Sequence, residues 1–152
     1  MNIKDEMFSV TEALAKSGID YALCGGMALI VHGYPRATRD IDLLIREVDL
    51  ASAEQTLADV GYQLTSGIIP FDVGKPTERR IFRVTKTEGQ DFLTLDLVLV
   101  SPFLADVWDD REIHRVGERT LCVVSRRGLG KMKRAANRPQ DVVELQQLGI
   151  EG

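Results

Sequence analysis

The chain has 152 residues, a formal charge of −4, 44% hydrophobic and 28% charged residues. That is long enough for one domain with a real core and ordinary for a globular protein. It excludes a global positive field that would draw the chain to nucleic acid or an anionic membrane, so any polyanion must be held by a local basic site.

Residues Lys4 to Ser17 read as a first helix, with Met7, Phe8, Val10, Leu14 and Ala15 at roughly helical spacing, and Gly18 ends it. A strand is expected over Ile19 to Cys24, a turn at Gly25-Gly26, and a short helix over Met27 to His32 that Gly33-Tyr34-Pro35 breaks. Asp40 to Ile45 reads as a second strand. Asp49 is the expected cap of a helix over Leu50 to Val60, closed by Gly61. Tyr62 to Thr65 reads as a short strand, and Ser66 to Thr77, with Gly67, Pro70, Gly74 and Pro76, as a loop. Arg80 to Thr85 and Phe92 to Val100 read as strands joined by a hairpin turn at Glu88-Gly89-Gln90. Phe103 to Asp109 reads as a helix or an irregular turn, and Trp108 to Glu112 as a charged loop beside a packed aromatic. A last strand is expected over Thr120 to Val124. Ser125 then caps a helix to about Asn137, and Pro139 opens a final helix to Leu148.

This order predicts an α/β (α+β) fold, a sheet covered by helices. Cys24 and Cys122, both in apolar strand-like runs, read as buried free thiols rather than a disulfide. No apolar stretch approaches the roughly 18 residues of a membrane span. The first ten residues carry no signal-peptide core, so a cytoplasmic location is expected. His32 and His114 form no cluster with the cysteines and read as ordinary surface or helix-end residues.

Three carboxylates stand out. Asp40 and Asp42 are two apart on a strand and so share a face. Like charges that close repel, and unless something positive joins them one takes up a proton. Either this is a solvated strand end or it is an all-oxygen site of the kind Mg²⁺ prefers. Asp96 lies inside the apolar run Leu93 to Val100. A charge there is costly unless it is ion-paired, with Arg39 or Arg83 as partners, or bound to metal.

Gly25-Gly26 follows a strand and opens a helix, where backbone N–H groups can approach a phosphate; it can equally be a plain turn. Arg36, Thr38 and Arg39, just before the aspartates, either steady phosphate oxygens or balance the charge of Asp40 and Asp42. On the helix after Ser125, Arg127, Lys131, Arg134 and Arg138 form one basic stripe, opposite Leu129, Met132 and Ala136. Lys133 lies beside the apolar face, from which it can snorkel outward or reach a triphosphate. Asp141 is either a first-turn dipole residue or the partner of Arg138 or Lys133.

Together these residues resemble the DNA polymerase β-like nucleotidyltransferase superfamily: a Gly-Gly turn, a short helix, Asp-x-Asp on a strand and a third Asp on a later strand. Cys24 to Ile45 is most similar to the small prokaryotic AbiEii-type, toxin-like members, through Gly25, Gly26, Ala28, Leu29, Arg36, Thr38, Asp40, Ile41, Asp42 and Leu43. Met132, Lys133, Ala135, Arg138 and Asp141 match the downstream pattern. Met27 stands where many members carry Ser or Thr, as in the Gly-Gly-x-Ala-Leu subgroup.

The resemblance implies a mixed, mostly antiparallel sheet in one domain over residues 1–152, with a core at about 19–124 and C-terminal helices at about 125–148. It implies an enzyme that transfers a nucleoside monophosphate from an NTP to an acceptor hydroxyl on RNA or tRNA, a protein, or a small molecule such as an antibiotic. Asp40, Asp42 and Asp96 would be the catalytic residues and the ligands of two Mg²⁺ ions. Gly25, Gly26, Arg36, Thr38, Arg39, Lys133 and Arg138 would hold the triphosphate. The acceptor-binding domain of larger relatives is expected to be missing or supplied by a partner. An antitoxin or other protein is an expected partner, and neither DNA nor membrane is. The alternative is a catalytically silent nucleotide-binding or regulatory module on the same fold.

Overall fold

A computed structural model describes residues 1–136, 138–147 and 149. Helix α1 (Ile3–Lys16) buries Met7, Phe8, Val10, Thr11 and Leu14 on one side and is capped by the Asn2 side chain, which accepts from the Asp5 amide at 3.1 Å. Strand β1 (Ala22–Cys24) leads into α2 (Gly25–Val31), and strand β2 (Asp40–Ile45) follows. Helix α3 (Leu50–Asp59) precedes the strands β3 (Leu64–Phe71), β4 (Arg79–Glu88) and β5 (Asp91–Leu99). A single turn at Pro102–Leu104 runs into the short α4 (Ala105–Asp109). Strands β6 (Glu112–Val116) and β7 (Arg119–Val123) form a hairpin, and α5 (Arg126–Ala136) and α6 (Pro139–Gln147) end the described fold.

The strands make one seven-stranded sheet in the order β3-β4-β5-β2-β1-β7-β6. The β2–β5 and β1–β7 pairs are parallel and the other pairs antiparallel, so the sheet is mixed and mostly antiparallel, as expected. Its centre is its most apolar part: Leu43, Leu44, Ile45, Leu95, Leu97 and Leu99 are fully or almost fully buried. Strands buried on both faces read as continuous apolar runs, which is how β2 and β5 appear in the sequence. Helix α1 packs on α3 and β2, while α5 joins α2, α4 and α6. No helix among the described residues is long and apolar enough to cross a membrane.

Several elements differ from expectation. The expected loop at Ser66–Thr77 is largely strand, because β3 runs on to Phe71. Gly67, at φ 72°, sits where the β3–β4 register shifts, and Pro70 lies on a strand that pairs on one side only. A bulge and an edge are the places a sheet accepts those residues. Charged β6, whose first residue Glu112 ends the expected charged loop, is the opposite edge, where charge protects against further pairing. Asp49 does not cap α3 with its side chain; its carboxylate accepts from Arg46 at 3.1 and 3.3 Å instead. Ser125 does cap α5, accepting from the Gly128 amide at 3.0 Å. Both cysteines are free, with Cys24 buried and Cys122 only half-buried. The expected helix ends at Asn137 and Leu148 lie outside the described residues.

Candidate active site

Cross-strand register builds the site. Cys24 pairs with Asp42, Asp42 with Asp96, and Asp96 with Arg83, so one row crosses β1, β2, β5 and β4. The parallel β2–β5 pairing is what brings Asp96 beside the Asp40-Ile41-Asp42 segment. Asp96 is 8% exposed, Asp42 half-buried, and Asp40 stands exposed at the mouth. Arg83 donates to both Asp96 oxygens, Nε to Oδ1 at 2.8 Å and an Nη to Oδ2 at 3.0 Å. Of the two arginines open as partners of Asp96, the structure therefore selects Arg83. That contact pushes the Arg83 guanidinium above its ordinary value.

Asp42 has no such partner among the described residues. Burial first, then the charges of Asp96 and Asp40, push its carboxyl up to about 7, against the weaker opposing pull of Arg138 and Arg83. Burial, with Asp42 and Asp96 nearby, likewise holds the Cys24 thiol well above its usual range, so it is not a nucleophile here. Gly25, at φ 65°, forms the floor under Asp42: a Cβ there would lie 2.1 Å from Asp42 Oδ2. A Cβ on Gly26 would meet Thr38 Oγ1 at 2.8 Å. The glycine pair therefore lets the α2 entry sit against the carboxylate strand.

Helices α5 and α6 supply the opposite wall. Lys133 is 4% exposed, so it does not snorkel outward; Nζ donates to Glu144 Oε2 at 3.1 Å and lies 3.9 Å from Asp141 Oδ1. Asp141 is a partner of both basic residues: Arg138 donates to it through Nε at 2.9 Å, an Nη at 3.2 Å and the backbone amide at 3.0 Å. Burial works to raise the Asp141 carboxyl, but the Arg138 contacts outweigh it and leave the group lowered. Arg36 Nη1 donates to the same Glu144 oxygen at 2.8 Å. Glu144 is thus an unforeseen member of the site. Its three-residue spacing from Asp141, on the same helix side, was the available signal.

A cleft of about 470 Å³ joins the two walls. Of the expected residues, Gly25, Asp40, Asp42, Asp96, Lys133, Arg138 and Asp141 line it. Gly26, Arg36, Thr38 and Arg39 do not. Arg36 braces Glu144, and Thr38 donates to the Asp40 carbonyl at 3.3 Å. Arg39 is exposed and makes no hydrogen bond or ion pair among the described residues. Unforeseen lining comes from Phe71, Arg79, Ile81, Phe103 and Leu104. The four-residue basic stripe is divided: Arg138 faces the cleft, while Arg127, Lys131 and Arg134 line a separate hollow with Asp106, Asp109 and Asp110, where Lys131 is paired with Asp106 at 2.7 Å.

The donor set suits a hard divalent cation. It is all oxygen, it opens to a cleft, and Asp42 lacks the positive charge that would keep it ionised. Each Asp96 oxygen keeps a lone pair beyond the one Arg83 engages.

Solved structures with this fold include nucleotidyltransferases. The lincosamide antibiotic adenylyltransferase LnuA, lincomycin-bound, superposes with a TM-score of 0.65 at 16% identity, covering 95% of each chain. A putative nucleotidyltransferase from Thermotoga maritima gives 0.68 at 10% identity, over 95% of this chain and 91% of that one. ANT(2″)-Ia, in complex with adenylyl-2″-tobramycin, gives 0.60 at 15% identity, over 95% and 85%. No curated protein matches the chain by sequence. Residues 10–126 match the family described as nucleotidyl transferase AbiEii toxin, Type IV TA system, and the chain belongs to that family. It is an enzyme of the nucleotidyltransferase kind.

Proposed function

We propose that the chain moves a nucleoside monophosphate from an NTP to an acceptor hydroxyl, with Asp40, Asp42 and Asp96 as ligands of divalent metal. One observation carries the reading: a half-buried Asp42, held near neutrality by burial and two further carboxylates, faces a cleft whose other wall presents Lys133 and Arg138. Asp40, Asp42 and Asp96 would hold divalent metal, two Mg²⁺ ions in this reading, which when bound would supply positive charge to the reacting oxygens of an in-line displacement.

The chain's own groups do the rest. Arg83 fixes the Asp96 carboxylate, which accepts the proton of the acceptor hydroxyl. The hydroxyl oxygen bonds to the α-phosphorus as the bond to the bridging oxygen breaks, and pyrophosphate leaves. Lys133 uses donors left free by Glu144, and Arg138 those left by Asp141, to steady the triphosphate. The Gly25 amide meets it in the cleft and the exposed Arg39 would reach in from outside the lining, while Gly26, Arg36 and Thr38 act from behind.

The apolar lining, Phe71, Ile81, Phe103, Leu104 and Met132, suits a ring-bearing group. A small hydroxyl-bearing acceptor is favoured over a long RNA, because acidic side chains interrupt the basic stripe. Membership of a toxin family favours the second reading, a tRNA end as acceptor and an antitoxin protein as restraint.

Calorimetric titration of each NTP with Mg²⁺, into wild type and Asp40→Asn/Asp42→Asn, tests the reading. Metal-dependent binding of an NTP that the double variant loses is the expected result. No binding by wild type means a silent module. Labelled transfer to a tRNA pool, compared with lincosamide and aminoglycoside panels, then separates the acceptors.

A further inference from the structure

A second cluster lies away from the cleft. His32 follows α2 as its C-terminal cap, and Glu112 and His114, two apart on β6, share a face. One potential ligand atom from each lies within 4.8 Å of the other two. The imidazole rings meet edge-on, 5.1 Å between centroids. The sequence reading, which treats the histidines as ordinary surface or helix-end residues, misses this because 82 positions separate them in the chain and the β1–β7 and β6–β7 pairings together close that gap.

The hydrogen bonds prepare the rings. His32 Nε2 lies 2.8 Å from the Val124 carbonyl oxygen, which can only accept. Nε2 therefore carries a proton, and in the neutral ring the lone pair lies on Nδ1. A ligating imidazole characteristically gives its other N–H to such an acceptor, which fixes tautomer and ring orientation. His114 Nε2 lies 2.9 Å from Glu112 Oε1, so a nitrogen and a carboxylate oxygen are already side by side. Around tetrahedral Zn²⁺, with bonds of about 2.0–2.2 Å, ligand atoms stand about 3.3–3.6 Å apart. Small side-chain rotations close the cluster to that size.

We propose that His32, Glu112 and His114 form a second metal site for a borderline divalent cation of the Zn²⁺ class, distinct in chemistry from the carboxylate cleft. Two imidazoles and one carboxylate suit Zn²⁺ and its Co²⁺ substitute, whereas Mg²⁺ prefers the all-oxygen set. Three protein ligands leave a fourth position to water or to a donor from another molecule. The bound ion ties the end of α2 to the β6–β7 hairpin. Since α2 spans only Gly25–Val31, that clamp fixes from behind the glycine turn beneath Asp42.

The test titrates the full chain with Co²⁺, then Zn²⁺, in excess Mg²⁺ that fills the carboxylate cleft, read by calorimetry and by the visible spectrum of Co²⁺. Wild type should bind one equivalent with the intense bands of a four-coordinate ion. His32→Gln and His114→Gln should bind at least about tenfold more weakly, and Asp40→Asn/Asp42→Asn should bind as wild type does. Glu112→Gln, on the exposed edge strand, serves as the test if a histidine variant fails to fold. Zn²⁺ should raise the unfolding midpoint of wild type and leave that of Glu112→Gln unchanged. Equal binding by wild type and the three variants, loss only in the aspartate variant, or no Co²⁺ bound at all would each overturn the site.

Discussion

Asp42→Asn removes the most perturbed acid of the cleft and should make the metal-free protein more stable above neutral pH. The Asp42 carboxyl stands at about 7 in the folded chain against an ordinary 3.8. Below about pH 4 it is protonated in both states and costs nothing. Above that the unfolded chain ionises freely while the folded one resists, so stability falls as pH rises and levels off above 7. Roughly three units at about 1.4 kcal/mol each give a penalty of order 4 kcal/mol at pH 8, of which about 3 kcal/mol accrues above pH 5. Asparagine has nearly the same shape and no such slope. Other titrating groups largely cancel when variant and wild type are compared at each pH. Urea unfolding at pH 5 and pH 8 is the assay, and with an m of about 2 kcal/mol/M the gap between the midpoints should widen by about 1.5 M. Mg²⁺ should then close the gap at pH 8 by stabilising wild type alone, because it competes with the proton for the same oxygens. A gap that stays flat with pH, or a variant less stable at pH 8, would refute the claim that Asp42 lacks a compensating charge.

Other substitutions separate the parts of the site. Gly25→Ala places a methyl 2.1 Å from Asp42 Oδ2 at φ 65°; the backbone alone costs about 1–2 kcal/mol, and NTP binding by calorimetry should fall with it. Arg83→Ala strips both donors from the buried Asp96 carboxylate and should lower the unfolding free energy by about 1–3 kcal/mol, and it should raise Mg²⁺ affinity by removing a competing cation. Loss of Mg²⁺ binding in that variant would instead make Arg83 the residue that positions Asp96. Glu144→Gln leaves Arg36 and Lys133 sharing a neutral oxygen, so thermal unfolding should show a loss of about 1–3 kcal/mol, while Val142→Ala, on the same helix but half exposed, should stay close to wild type.

What the sequence disclosed follows from where the chemistry is encoded. Asp40, Asp42, Asp96 and Gly25 sit in short local patterns, an alternating strand start, a charge inside an apolar run and a glycine at a strand end, and each pattern has a direct physical reading. The strand edges were misread for the complementary reason. Gly67 and Pro70 weaken a central strand but not an edge with a bulge, and nothing local tells β3 that it is an edge. Charged β6 was hidden in the same way.

The second wall of the cleft was only half legible, because it is made by distance contacts. Asp141 offered a choice of partners, and the fold takes both, since α5 and α6 meet at an angle that buries Lys133 between Asp141 and Glu144. The place of Arg36 before the aspartates leaves it open as a phosphate ligand or as their counter-charge, yet it crosses to Glu144, 108 positions away, and the two cations then share one oxygen. Its charge therefore ties the segment entering β2 to α6 and sets how closely the basic wall approaches the carboxylates. Lys133 is left with donors to spare and no room to turn toward solvent, so the one direction open to its charge is the cleft. In the function proposed above, that constraint, rather than the number of basic residues, is what would direct the wall at an anion lying across from Asp42.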